Sequence, residues 1–96
     1  MIPSKVKIGS TEWQVIYSDY LSDDQCHGKC YQEKHEIHIA DSLTEEAKEE
    51  TFIHELLHAL CYFSGIQDEE KLDEEAICNR LGYILHSVLK ENDISL

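Results

Sequence analysis

Residues 44–65 read TEEAKEETFIHELLHALCYFSG, and this stretch decides the second half of the fold. Thr44 offers a capping oxygen, and Glu45 and Glu46 place two acids in the first turn, where the positive end of the helix dipole favours them. From there to Phe63 nothing breaks a helix, and Ser64-Gly65 ends it. At ~100° per residue, Ile53, Leu56, Leu57 and Leu60 form one apolar stripe. The stretch therefore predicts a long amphipathic helix buried along that stripe.

Downstream, residues 67–71 form a short acidic connection. A second helix is predicted from about Leu72 to Lys90, with Ile77, Leu81, Ile84, Leu85 and Val88 on its buried face. Upstream the period changes to two. Residues 5–8 alternate Lys-Val-Lys-Ile and end at the turn cluster Gly9-Ser10-Thr11, while Trp13, Val15 and Tyr17 share one face of the next run. These two runs predict a hairpin. Residues 28–31 and 35–39 predict a second pair, and the polar alternation of His38 against Ile37 and Ile39 suggests a strand at a sheet edge. Residues 19–25 are polar and read as loop, with one helical turn around Tyr20 and Leu21. The expectation is an α+β fold, a single domain over residues 1–96. About four strands make a small N-terminal β-sheet packed on two C-terminal helices.

The chain has 96 residues, 20 acidic against 8 basic, for a net charge of -12. A nucleic-acid partner needs a basic face to release counterions, so this balance excludes that class. It also disfavours an anionic membrane surface, and no apolar run approaches the ~20 residues of a membrane span. Residues 1–9 carry two lysines and no apolar h-region, so a cytoplasmic protein with reduced thiols is expected at its four cysteines. A domain this short has a thin core, and a bound metal is one way to reinforce it.

The first helix carries such a candidate. His54-Glu55-Leu56-Leu57-His58 is a His-Glu-x-x-His run. Two histidines four apart lie on one face, about 6 Å along the axis, and can both reach one Zn²⁺ at ~2.0–2.1 Å. Glu55 stands ~100° further round, beside the metal, where a base can take a proton from zinc-bound water. This polar strip points away from the Ile53-Leu56-Leu57-Leu60 stripe. A catalytic zinc needs a third protein ligand. On the second helix Glu75, Asn79, Gly82 and His86 share one strip. Glu75 is the candidate ligand, with Glu74 and Asp73 as alternatives. Asn79 is placed to orient a ligand histidine, and Gly82 to let the helices approach. His86 lies ~16 Å along the strip, too far for the same metal.

The run His54-Glu55-x-x-His58 followed by Glu75-Ala76-Ile77-x-Asn79-x-x-Gly82 resembles the gluzincin metallopeptidases. The order of strands, histidine helix and glutamate helix is similar to small ImmA/IrrE-type and phage-encoded members. The resemblance implies a minimal zincin-like domain with one Zn²⁺ per chain held by His54, His58 and Glu75. It implies peptide-bond hydrolysis with Glu55 as general base, on a peptide or protein substrate laid antiparallel along residues 35–39. An oxyanion donor is expected from among Tyr83, Tyr62, His35 and His86. Asn79 stands where the group carries an acid, and the interval from His58 to Glu75 is short. Two alternatives stay open: a catalytically weak, zinc-stabilised protein-binding module, and an acidic interaction protein that mimics nucleic acid. Cys26 and Cys30 read as incidental hairpin thiols, with a fourth zinc position as the minor alternative.

Overall fold

The structure, a computed structural model, describes residues 2–19, 27–66 and 72–92. Four strands come first: β1 (Lys5–Ile8), β2 (Thr11–Ser18), β3 (Gly28–Tyr31) and β4 (Glu36–Ala40). Two helices follow, α1 (Glu45–Ser64) and α2 (Glu74–Glu91). The α+β arrangement expected from the two periodicities is the one observed. The helical turn expected near Tyr20 and Leu21, the thiol of Cys26 and the acidic connection 67–71 lie outside the described residues.

The sheet order is β1-β2-β4-β3. β1 and β2 form an antiparallel hairpin through Gly9 and Ser10, whose φ angles are 56° and 70°. Positive φ at both central residues is the type I′ geometry, whose twist matches that of the paired strands. β3 and β4 form a second antiparallel hairpin with Cys30 opposite Ile37, and β4 runs parallel to β2 with Val15 opposite Ile37.

This order corrects one expectation. Residues 35–39 were expected at a sheet edge, but β4 is interior and β3 is the outer strand. The polar alternation of β4 marks a second face rather than an edge. Ile37 and Ile39 are fully buried. On alternate positions, His38 Nε2 sits 2.9 Å from Glu36 Oε1, and the His38 ring packs edge-on against Tyr31.

α1 begins where the sequence places it. The Ala47 N–H donates to Thr44 Oγ1 at 3.2 Å, and Gly65 closes the helix in the left-handed region at φ 77°. Its Phe52, Ile53 and Ala59 join Ile8, Trp13, Val15, Ile37 and Ile39 in the core. The buried face is turned by about one residue step, ~100°, from the predicted stripe. Leu56 and Leu57 are half-buried and Leu60 is exposed, because the sheet meets the Phe52 and Ala59 side.

α2 departs further. Asp73 caps it, accepting from the Ala76 N–H at 3.1 Å. Its buried residues are Cys78, Gly82 and His86, whereas Leu81, Ile84, Leu85 and Val88 are exposed. Of the predicted apolar face only Ile77 is half-buried, and the rest of it points outward. α2 packs chiefly on α1, and the face it presents is the one that allows close backbone approach and polar pairing. A Cβ on Gly82 would sit 3.5 Å from the His54 Cα, at ordinary contact distance. Among the described residues, no helix is long and apolar enough to cross a membrane.

Candidate metal centre

His54 and His58 project one turn apart from α1, with ring centroids 4.9 Å apart. The first turn of α2 brings Glu75 across to them. One carboxylate oxygen lies 3.1 Å from His54 Nε2 and the other 3.0 Å from His58 Nε2. One ligand atom from each of the three residues falls within 4.8 Å of the other two. The sequence nominated these three residues, and the fold brings them together.

The donor set can be tested against a metal by its spacing. Ligands at ~2.0–2.1 Å in tetrahedral array stand about 3.3 Å from one another. The two observed imidazole–carboxylate separations are close to that, and two imidazoles with one carboxylate suit a borderline ion such as Zn²⁺. The three residues can therefore converge on one divalent ion, their ligand atoms drawing in from within 4.8 Å of one another.

The far side of the His58 ring is also engaged. Its Nδ1 lies 2.6 Å from Glu74 Oε2. Both ring nitrogens thus face carboxylates; with a metal on Nε2, the proton would sit on Nδ1 and be accepted by Glu74. The orienting role expected of Asn79 thus belongs to Glu74, and Asn79 is exposed. The signal was in the sequence: adjacent residues on a helix differ by ~100°, so Glu74 and Glu75 can address the two nitrogens of one ring. Asp73, the other alternative ligand, serves as the N-cap.

Glu55 lies beside this group. Its Oε2 is 4.0 Å from His54 Nε2, and the residue is only 7% exposed. Burial raises its carboxyl to about 7; His58 opposes that rise and Glu75 adds to it. Burial also lowers the pKa of the His54 imidazole, which favours the neutral ring that binds metal. β3 covers Glu55 at Gly28, where a Cβ would meet Thr51 Cγ2 at 2.5 Å, His38 O at 2.9 Å and Glu55 Cγ at 3.2 Å. Only a glycine lets the outer strand lie this close to α1.

A cavity of about 340 Å³ opens over the group, walled by Gly28, Lys29, Cys30 and Gln32 on one side and His54, Glu55, His58 and Glu75 on the other. Gln32, in the turn after β3, is a polar wall residue that sequence reasoning missed, whereas Lys29 pairs with His38 on the sheet face away from α1. None of the four expected donors lines this cavity. His35 packs at a tilt against Trp13 with centroids 5.2 Å apart, and Tyr62 packs edge-on against Phe63. Tyr83 and His86 line a separate hollow toward the far end of the helix pair. Cys30 is in the cavity wall but not among the converging ligand atoms, and burial pushes its thiol up to about 12.

No family model matches the chain, and neither a curated protein nor a solved structure matches it.

Proposed function

We propose that the chain is a zinc-dependent peptidase of gluzincin type. His54, His58 and Glu75 are its ligands and Glu55 its general base. The observation that carries this reading is the placement of Glu55. It is a buried carboxylate at the rim of a His-His-Glu donor set and open to a cavity. A structural metal site needs no such group, whereas a general base must stand within reach of a water at the metal.

Zinc, when bound, acts as a Lewis acid on the scissile carbonyl and lowers the pKa of a bound water toward ~7. The chain's own residues supply the rest. Glu74 holds the His58 ring with Nδ1 protonated, so that Nε2 keeps its lone pair for the metal. Glu55 takes the proton from the attacking water, then passes it to the leaving amine. Gly28 keeps β3 low over the site, and an extended peptide laid beside this outer strand would cross the cavity. Gln32, on the same wall, is the available side-chain donor to a developing oxyanion.

The test is a Glu55→Gln variant. It should retain zinc and lose hydrolysis of a general peptide library. Hydrolysis surviving in Glu55→Gln would overturn the assignment of the base. A second reading, the zinc-stabilised binding module, draws on the outward Leu81-Ile84-Leu85-Val88 face of α2. It predicts zinc in wild type with no peptide cleaved by either form.

A further inference from the structure

The hollow at the other end of the helix pair has a volume of about 200 Å³, and its walls include Glu46 and Glu50 of α1 and His86, Lys90 and Glu91 of α2. Glu46 and Glu50 are four residues apart, so their carboxylates lie on one helix face and repel each other. His86 is 5% exposed, an unusual burial for an imidazole on a surface helix. One ligand atom from each of the three residues lies within 4.8 Å of the other two.

The second nitrogen of His86 gives the cluster its direction. Nε2 lies 3.3 Å from Glu49 Oε1, which also takes Lys90 Nζ at 2.8 Å. The Glu49 carboxylate can only accept, so Nε2 carries the ring proton and the lone pair falls on Nδ1. Nδ1 faces Glu50, 3.7 Å from its Oε1, beyond hydrogen-bond reach and on the side of the hollow. A carboxylate behind a buried imidazole, fixing the tautomer that presents its other nitrogen, is the arrangement found around metal-binding histidines. The same logic relates Glu74 to His58 at the first site.

We propose that Glu46, Glu50 and His86 form a second divalent-cation site, with Glu49 as the positioning residue behind the imidazole. One nitrogen and two carboxylate donors suit a borderline ion such as Zn²⁺. Glu46 and Glu50 are on the exposed side, so the ion binds more weakly than at the first site and exchanges with solvent. Its consequence is structural. It ties the first turns of α1 to the last turns of α2, at the opposite end of the helix pair from Glu75. It also relieves the Glu46–Glu50 repulsion.

The test is a Zn²⁺ titration by calorimetry of wild type, Glu46→Gln/Glu50→Gln and His54→Ala/His58→Ala. One equivalent should disappear, or weaken about tenfold or more, in the glutamine double variant. Both replaced side chains are on the surface, so this variant retains the fold. The same equivalent should survive in the alanine double variant, which keeps this reading separate from the fate of the first site. In a ¹⁵N spectrum the His86 Nδ1 resonance should shift as this equivalent is filled. A glutamine double variant that binds as many equivalents as wild type, with unchanged affinities, overturns the proposal.

Discussion

Glu74 Oε2 lies 2.6 Å from His58 Nδ1, while the other nitrogen of the same ring faces Glu75 at 3.0 Å. Two adjacent residues of α2 thus hold one imidazole from both sides. Glu74→Ala should lower zinc affinity by roughly 10–100-fold without changing the number of equivalents bound, because the ligand stays and its orientation is lost. Competition with a chromophoric chelator measures this directly. An unchanged affinity would show that the Glu74 contact does no positioning.

The two glycines that meet α1 predict opposite outcomes. Gly28→Ala drives a Cβ into Thr51 Cγ2 at 2.5 Å and the His38 carbonyl at 2.9 Å, so β3 must lift off the helix. A loss of about 1–3 kcal/mol is expected, as for overpacking in a core. Gly82→Ala puts its Cβ at 3.5–3.7 Å from its neighbours, an ordinary contact, within a helix that gains from alanine. That variant should be neutral or stabilised by about 0.5–1 kcal/mol. Urea denaturation of both variants checks the pair.

Much of this was legible in the sequence. The period change, the Thr44 cap and the Gly65 stop gave α1 to within a residue. The His54-Glu55-x-x-His58 run on that helix named the group that Glu75 completes. What was not legible depends on neighbours rather than on local pattern. Period-two alternation reports two unlike faces, and it cannot say whether a strand is interior or outer, so β4 was mistaken for an edge. The apolar stripe of α2 gave the wrong buried face. Gly82 and the pairs that Glu74, Glu75 and His86 make with α1 favour the Cys78-Gly82-His86 side instead.

Glu55 predicts a pH dependence for the metal-free protein. Its carboxyl is raised by burial to about 7 in the folded state, against an ordinary value of 4.5. A raised folded pKa means that the folded state binds the proton more tightly than the unfolded one. The associated stability is complete below pH 4.5 and is lost as pH rises through about 7. The size is on the order of 3 kcal/mol. Glu55→Gln has no such proton to lose, so the stability difference between the two proteins should change in that window. Urea midpoints at pH 5 and pH 8 in the presence of a chelator measure it, with wild type losing relative to the variant at the higher pH.

Two further thiols report on the helix interface. Cys61 and Cys78 face each other between α1 and α2 in hydrogen-bond contact; burial raises both, Cys78 to about 12. At pH 8 almost none of the Cys78 side chain is thiolate, so it should react with an aromatic disulfide reagent only on unfolding. Fast reaction of Cys78 in the folded protein would show that the helices do not pack as described.

The central claim is that His54, His58 and Glu75 hold one metal ion tightly. Elemental analysis of protein purified without a metal-binding tag and desalted to remove loosely held ions tests it most directly. Wild type and Glu55→Gln should each retain about one zinc per chain, while His58→Ala and Glu75→Ala should fall toward none. A wild type that retains no zinc, or a His58→Ala variant that retains as much as wild type, would contradict the account.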